Sequence, residues 1–246
     1  MQRRIQFSLQ RTFNKMTFNS LGYNRFTIPA LDDAARQEFE SLVFDPYTGG
    51  KQRYRRFSQF KLQHNGNAWG MERLPHRPFI QSRTFNGVVG GQPRFFEPIR
   101  FDPTAQVMAG VNAANMDPHM TYQFNVHQVR VIVNKEVIGV AVPEGPHRDG
   151  HLFVMNAVVN RSNISGGVTQ LIPTGGGEPF FEDVLLDNEA IIIKDAAMWH
   201  HATNILPVNG SSGHRDILII TFNEWAHRRY GEEFERNLGV IHADVT

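Results

Sequence analysis

The chain of 246 residues is long enough to bury one substantial core, and its 41% hydrophobic content with 19 Phe favours a folded protein, because disordered chains are poor in aromatics. Its charges are balanced, with 25 Lys and Arg against 24 Asp and Glu, and no run of about 18 apolar residues could span a membrane, so neither nucleic acid nor a bilayer is an expected partner. The absence of cysteine excludes disulfides, thiolate metal ligands and cysteine nucleophiles, fits a reducing cytoplasmic setting, and leaves nitrogen and oxygen atoms as possible metal ligands.

The first segment, residues 1–28, is predicted to be a polar N-terminal arm with at most short strands. No acidic residue precedes Asp32, whereas five basic residues do: Arg3, Arg4, Arg11, Lys15 and Arg25. An acid-poor, Arg-bearing N-terminus also occurs in organelle-import peptides, but such a composition is only loosely specific. We therefore interpret the segment as an ordinary basic arm of a single domain that spans residues 1–246.

Residues 29–121 are predicted to form a helical and loop-rich support region. A helix is expected to begin near Leu31 and to end near Pro46, since apolar residues recur at helical spacing between them. Those residues are Leu31, Ala34, Ala35, Phe39 and Leu42. From 47 to 120 the chain is rich in Gly and Pro, and only short runs such as 55–62 suggest strands.

From residue 122 to residue 223 the pattern changes to short β-rich runs separated by turn signals, which predicts an antiparallel jelly-roll core. The expected strands are 124–133, 137–142, 152–159, 168–172, 190–193 and 217–222. The glycines at 175–177 lack the Lys and the strand-to-helix setting of a phosphate loop, so they predict a hairpin turn. Residues 224–246 are expected to form a C-terminal helix, 224–237, and a tail. The predicted fold class is therefore mainly β with flanking helices around a double-stranded β-helix.

Three side chains in this core region are candidate metal ligands. His147 and Asp149 are one residue apart, so on a strand both would point to the same face. His200 follows the predicted strand 190–193 and could be brought across the barrel to them. Two imidazoles and one carboxylate form a facial triad that holds Fe(II) and leaves open positions. Arg215 would add a guanidinium for the distal carboxylate of 2-oxoglutarate, so the set predicts an oxygenase that uses Fe(II), O2 and 2-oxoglutarate.

Two plainer interpretations of the same residues stay open. A His-x-Asp in a chain with 11 His can be an ordinary hydrogen-bonded pair, since short motifs arise easily. Zn2+ also accepts two His and one carboxylate with an open position, as in hydrolases. The position of His-x-Asp, after a turn and before an apolar strand, argues against the ordinary pair. Arg215 argues against the hydrolase and against a third alternative, a non-catalytic metal-binding β-sandwich, because neither needs a cation in register with His200.

Several segments, taken in order, resemble the 2-oxoglutarate/Fe(II) dioxygenase family that contains the bacterial L-isoleucine 4-hydroxylases and related free amino-acid hydroxylases. The resembling segments are 53–60, 127–130, 143–150, 163–167, 200–203 and 215–218. The ordered series is far more specific than any single segment. In the family pattern the metal-binding His precedes a Thr by three residues and an Arg by fifteen. Counting back from Thr203 and Arg215 gives His200 rather than His201.

The resemblance implies hydroxylation of a C–H bond of a small substrate, a free L-amino acid or a close derivative, with succinate and CO2 as co-products. The same iron centre could instead catalyse desaturation, cyclisation or epimerisation. Two positions depart from the pattern. Ile217 stands where many jelly-roll oxygenases place a Ser or Thr near 2-oxoglutarate, and Asn204 stands where the isoleucine hydroxylases have Pro. The second anchor for 2-oxoglutarate is therefore not identified.

Four further residues are candidates for substrate contact. Gln128 and Arg130 share one face of a predicted strand, so either could hold a substrate or co-substrate carboxylate. The alternative for this pair is a salt bridge across the sheet. Arg53 and Arg55 carry the same two interpretations, because a buried Arg needs an anion in either case.

Overall fold

A computed structural model describes residues 22–87 and 89–239, so most of the predicted arm and the end of the tail lie outside the described residues. The strands are β1 Tyr23–Thr27, β2 Val43–Phe44, β3 Arg53–His64, β4 Trp69–Arg73, β5 Tyr122–Val133, β6 Phe153–Ser162, β7 Ile164–Gly166, β8 Val168–Pro173, β9 Phe181–Val184, β10 Glu189–Lys194, β11 Met198–Ala202, β12 Ile205–Pro207 and β13 Gly213–Glu224. The α-helices are α1 Asp33–Gln37, α2 Thr104–Ala114 and α3 Glu232–Asn237, and single 3-10 turns cover Glu38–Ser41, Asp195–Ala197 and Trp225–His227. None of these helices is both long and apolar enough to cross a membrane.

Two layers of antiparallel strands form the core. The large sheet has eight strands in the order β1-β10-β6-β13-β5-β3-β2, with β4 paired to β3. Two smaller sheets, β11-β8-β9 and β12-β7, pack against its inner face through an apolar cluster that includes Leu171, Ile191 and Ile205. The arrangement confirms the predicted mainly β fold with a jelly-roll core.

The strand β5 shows how the sequence gives the large sheet two buried faces. Alternate side chains of a strand point to opposite sides. Phe124 and Val126 therefore join the outer cluster under the helices, whereas Val129 and Val131 join the inner cluster under the small sheets. On the outer face Gly110 lets α2 lie close to the sheet, because a Cβ at this position would be 2.6 Å from Sδ of Met155.

The predicted elements before residue 122 differ most from the structure. The helix near Leu31 begins as expected, with Asp32 accepting the backbone N–H of Ala35 at 2.8 Å, but α1 ends at Gln37 and continues only as a 3-10 turn. The weak strand signal at 55–62 corresponds to β3, which pairs with β5 inside the large sheet. The helix α2 was not predicted, although its buried Val107, Val111 and Ala114 have helical spacing. Strands before residue 122 thus contribute to the core.

Within the predicted core, five of the six expected strands are present with longer bounds, and the strand at 137–142 is wrong. That segment makes a single bridge between Gly139 and Ile205. The side chain of Asn134 accepts the backbone N–H groups of Glu136 and Val137 at 2.8 Å, which closes a turn and leads the chain out of the sheet. The predicted hairpin turn at 175–177 is confirmed, since it joins the paired strands β8 and β9. The C-terminal helix is shorter than expected and is limited to α3.

Candidate metal centre

The inner face of the large sheet and the strands β8 and β11 enclose a cavity that is lined by both charged and apolar side chains. On one side of it the ligand atoms of His147, Asp149 and His200 all lie within 4.8 Å of one another. The carboxylate of Asp149 lies between the two rings, with 3.4 Å from Oδ1 to Nε2 of His147 and 3.4 Å from Oδ2 to Nε2 of His200. These three are the candidate ligands predicted from the sequence, and they could hold one metal ion.

The sequence predicted that His147 and Asp149 lie on one strand, and in the structure they do not. His147 instead forms an isolated bridge with His200 of β11, with backbone hydrogen bonds of 3.1 and 2.9 Å in the two directions. Asp149 lies outside any strand. The bridge explains how residues far apart in the chain are held side by side.

Two charged side chains that were not singled out in the sequence fix the backbone after His147. The carboxylate of Asp195 accepts the N–H groups of Asp149, Gly150 and His151 at 3.0, 2.6 and 3.1 Å. The guanidinium of Arg229 donates to the carbonyl oxygens of Asp149, at 3.0 Å, and Gly150. The amide and carbonyl groups of the ligand segment are therefore both held by remote residues. A lone Asp after a strand and an Arg near the C-terminus give no sequence signal for this role.

The charge of Asp149 and the orientation of the His147 ring suit a bound cation. Burial raises the pKa of Asp149, but hydrogen bonds to His147 and His200 outweigh it and hold the pKa well below its usual value. Burial opposes protonation of His147, yet the adjacent Asp149 raises its pKa to about 9, so a metal ion that binds this ring would have to displace a proton from Nε2. Nδ1 of His147 lies 2.9 Å from the carbonyl oxygen of Gly145 and must donate to it, which leaves Nε2 facing Asp149 as a ligand. The donor set of two imidazoles and one carboxylate fits Fe(II).

Gln81 also contacts the candidate centre and was missed in the sequence. Its Nε2 donates to Oδ1 of Asp149 at 3.0 Å, and its Oε1 accepts from Arg94 at 3.2 Å. Gln81 and Arg94 are both buried. His201, the other member of the His pair, borders the cavity, but its ring nitrogens lie outside the group of three ligand atoms.

Arg215 lies on β13 and borders the same cavity with only 4% of its surface exposed. Within the described chain its guanidinium has no hydrogen bond and no carboxylate at ion-pair distance, and its buried Nε lacks a partner. Burial, followed by repulsion from Arg161 and Arg53, lowers its pKa to about 10. A buried cation without an anion is costly, so this arrangement fits a site for the carboxylate of a ligand.

A second cation, Arg161, lies beside Arg215 and was not considered in the sequence. A Cβ on Gly167 would be 3.1 Å from Nη1 of Arg161 and 3.5 Å from Cδ of Arg215, so this glycine leaves room for both side chains. Nη1 of Arg161 is buried without a partner, whereas Nη2 donates to the carbonyl of Gly166 at 2.7 Å.

The four candidates for substrate contact divide into two pairs. Arg53 and Arg55 border the cavity. Gln128 and Arg130 do not, because the even-numbered residues of β5 face the helices on the outer side of the large sheet. Arg130 makes the salt bridge across the sheet that was its alternative interpretation, with Nε and Nη2 at 2.7 and 2.8 Å from the carboxylate of Asp216. The expectation that Gln128 or Arg130 contacts substrate is therefore corrected.

Comparisons with known proteins agree with this fold and identify a family. The family described as 2OG-Fe dioxygenase matches residues 36–221. A BsmA homolog from Methylobium petroleophilum PM1 has a similar structure, with a TM-score of 0.72 and 24% identity over 86% of this chain and 92% of that chain. IDO from Bacillus thuringiensis gives a TM-score of 0.62 and 17% identity over 86% of this chain and 97% of that chain. No curated protein gives a significant match.

A third solved structure, the Fe(II)/(alpha)ketoglutarate-dependent dioxygenase TqaL, has a TM-score of 0.56 and 13% identity over 85% of this chain and 84% of that chain. Identities this low show a shared fold alone. The family match covers more than half of the chain, and it confirms the predicted enzyme class and the expected use of Fe(II), 2-oxoglutarate and O2. The chain therefore belongs to the 2OG-Fe dioxygenase family and is a 2-oxoglutarate-dependent non-haem iron dioxygenase.

Proposed function

We propose that this enzyme hydroxylates a C–H bond of a free L-amino acid or a close derivative and releases succinate and CO2. The observation that carries the proposal is the buried, uncompensated Arg215 in the same cavity as His147, Asp149 and His200. A metal centre alone would not need that cation. The choice of an amino acid as substrate is supported by the ordered series of segments that resemble the amino-acid hydroxylases.

In this proposal His147, Asp149 and His200 bind Fe(II), and Arg215 pairs with the distal carboxylate of 2-oxoglutarate. When bound, iron and 2-oxoglutarate together activate O2 for removal of a hydrogen atom from an unactivated carbon. Gln81 fixes the orientation of the Asp149 carboxylate through its 3.0 Å hydrogen bond. The residues of the chain thereby set the ligand geometry before any substrate enters.

The apolar part of the cavity would receive the carbon skeleton of the substrate. Leu171, Ile191 and Ile217 belong to the inner cluster and also border the cavity. They exclude water from the oxidised carbon, which protects reactive species from side reactions. Arg53 and Arg55 remain our candidates for polar contacts with the substrate, since both reach the cavity from β3.

An anaerobic titration tests the co-substrate part of the proposal. Addition of 2-oxoglutarate to protein loaded with Fe(II) should produce a metal-to-ligand charge-transfer band. Folded protein that gives no band would argue against the assignment. A zinc hydrolase would instead keep its activity with Zn2+ and show no dependence on 2-oxoglutarate or O2.

A substrate screen tests the second part. The standard amino acids and their N-acyl and peptide derivatives are assayed for substrate-dependent succinate formation and a mass gain of one oxygen atom. We expect hydroxylation of at least one of them. Succinate formation with a loss of two hydrogen atoms would replace hydroxylation with desaturation, and no stimulation by any member would reject the amino-acid class.

A further inference from the structure

Four guanidinium groups border the cavity of the metal centre, and they differ in whether a carboxylate neutralises them. Nε of Arg55 lies 3.2 Å from Oδ2 of the buried Asp45. Arg53, Arg94 and Arg215 have no carboxylate at ion-pair distance in the part of the chain that the structure describes, and Nε of each is buried without a hydrogen-bond partner. Three buried cations of this cavity therefore lack an anion.

Arg94 is held in place by neutral groups only. It is 2% exposed, its guanidinium carbon lies 4.5 Å from the ring centre of Phe79, and one Nη donates to the amide oxygen of Gln81 at 3.2 Å. Gln81 in turn donates to the candidate metal ligand Asp149. The cation of Arg94 is thus fixed and only one side chain removed from the metal centre.

Arg53 is in a similar position. It is 7% exposed, and its Nη2 donates to the carbonyl oxygen of Ala141 at 2.7 Å, which is again a neutral partner. Burial and then repulsion from Arg55 lower the pKa of both Arg53 and Arg94 to about 10. The guanidinium groups of Arg53, Arg55 and Arg94 are therefore close enough to repel one another. Glu144 also borders the cavity and attracts them, but it lies beyond ion-pair distance of each.

A bound metal ion and co-substrate would not supply the missing anion. The charges of a divalent metal ion and the 2-oxoglutarate dianion would cancel, and the one co-substrate carboxylate free of the metal would pair with Arg215. Glu144 and Asp149 are the other lining carboxylates, and neither lies at ion-pair distance of Arg53 or Arg94. Buried cations are retained where an anion pairs with them.

We propose that Arg94 and Arg53 form a second anion site in this cavity, separate from Arg215, which binds a carboxylate group of the substrate. The inference rests on the proposed function, because it assumes that Arg215 is occupied by 2-oxoglutarate. It limits the substrate class to small carboxylic acids, including amino acids with a free or acylated amine. The corresponding amides and decarboxylated amines are excluded.

Calorimetry tests the second site directly. Protein loaded with Mn(II) and 2-oxoglutarate is titrated with the standard amino acids, their N-acetyl derivatives, isobutyrate and isovalerate, each beside its carboxamide. At least one carboxylate should bind, and its carboxamide should bind about tenfold more weakly or worse, as expected for loss of a charge-assisted hydrogen bond. Equal binding of the two, or no binding of any carboxylate to protein that binds 2-oxoglutarate, would overturn the proposal.

Three variants locate the effect. Arg94→Gln should weaken binding of that carboxylate about tenfold or more and leave the affinity for 2-oxoglutarate unchanged. Arg94→Lys, which keeps the charge without the planar fork, should recover part of the loss. The matched control is Arg56→Gln, since Arg56 is a buried arginine on the opposite face of β3 that pairs with Glu38 at 2.7 Å. It should keep both affinities.

The outcomes separate this proposal from the proposed function. If Arg94→Gln loses affinity for 2-oxoglutarate but keeps the carboxylate, Arg94 belongs to the co-substrate and the second site is wrong. If wild-type protein binds Mn(II) but no 2-oxoglutarate, the proposed function fails. Carboxylate binding that depends on Arg94 would still support the second site in that case. A structural role for Arg94 predicts a lower Tm in Arg94→Gln, whereas removal of an uncompensated buried cation should not lower it.

Discussion

The carboxylate of Asp195 accepts a hydrogen bond from the backbone N–H of Gly150 at 2.6 Å, next to two further bonds from Asp149 and His151. Asp195 is 1% exposed and lies in the 3-10 turn just before β11, the strand that carries His200. One buried side chain therefore ties the segment with two candidate ligands to the strand with the third. The relative positions of the three candidate ligands thus depend on Asp195, although Asp195 is not itself a candidate ligand.

Asp195→Asn should weaken metal binding without removing any ligand. The amide oxygen of Asn can accept some of the three N–H groups, but its NH2 group faces donors and leaves at least one amide unpaired. Loss of such supporting contacts lowers metal affinity about tenfold or more. Mn(II) calorimetry of the folded variant measures the change, with the exposed Asp33→Asn as control. Wild-type affinity in Asp195→Asn would show that the bridge between His147 and His200 suffices.

His200→Ala should abolish turnover and metal binding, whereas His201→Ala should keep at least part of both. The reason is geometric, since Nε2 of His200 lies 3.4 Å from Oδ2 of Asp149 and the nitrogens of His201 lie outside the ligand group. Mn(II) binding and succinate formation are the two measurements. The reverse pattern would assign the ligand to His201.

Much of the fold was readable from the sequence because short runs of β-branched and aromatic residues, bounded by turn signals, mark strands. The strands β5, β6, β8, β10 and β13 all contain such a run. The prediction of a strand at 137–142 was wrong for a non-local reason. Its apolar residues match a strand, but the turn at Asn134 directs them away from the sheet, so Gly139 alone pairs with Ile205. The short α1 likewise depends on how the chain packs under the sheet rather than on spacing.

The candidate site likewise contains residues that the sequence predicted and residues whose place depends on the folded chain. His147, Asp149, His200 and Arg215 were found because metal and carboxylate chemistry restricts residue type and spacing. Arg130 and Arg53 were both candidates for substrate contact. The direction of the Arg130 side chain, toward Asp216 and the helices, excludes it from the cavity that Arg53 borders. A register shift of one residue would exchange the two faces, and the sequence of one strand does not fix it.

Arg215→Ala should raise the KM for 2-oxoglutarate by about tenfold or more, because a charge-assisted bond to its distal carboxylate is lost. The KM for substrate at saturating 2-oxoglutarate should change far less. Steady-state kinetics at varied co-substrate concentration measure both. An unchanged KM for 2-oxoglutarate would place the anchor elsewhere, and Arg161 would be the next residue to test, since it lies beside Arg215.

Arg130→Gln should destabilise the protein without changing either KM. Arg130 pairs through two nitrogens with Asp216, whose side chain is 4% exposed, so its removal leaves a buried carboxylate without a cation. Breaking such a pair costs about 3 kcal/mol, which corresponds to a fall in Tm of roughly 6–12 °C for a chain of this size. The double variant Arg130→Gln with Asp216→Asn should recover part of the loss, because the uncompensated charge is gone. A normal Tm with an altered KM for 2-oxoglutarate would instead mean that Arg130 acts on the cavity through β5, and the division between the outer ion pair and the inner site would have to be abandoned.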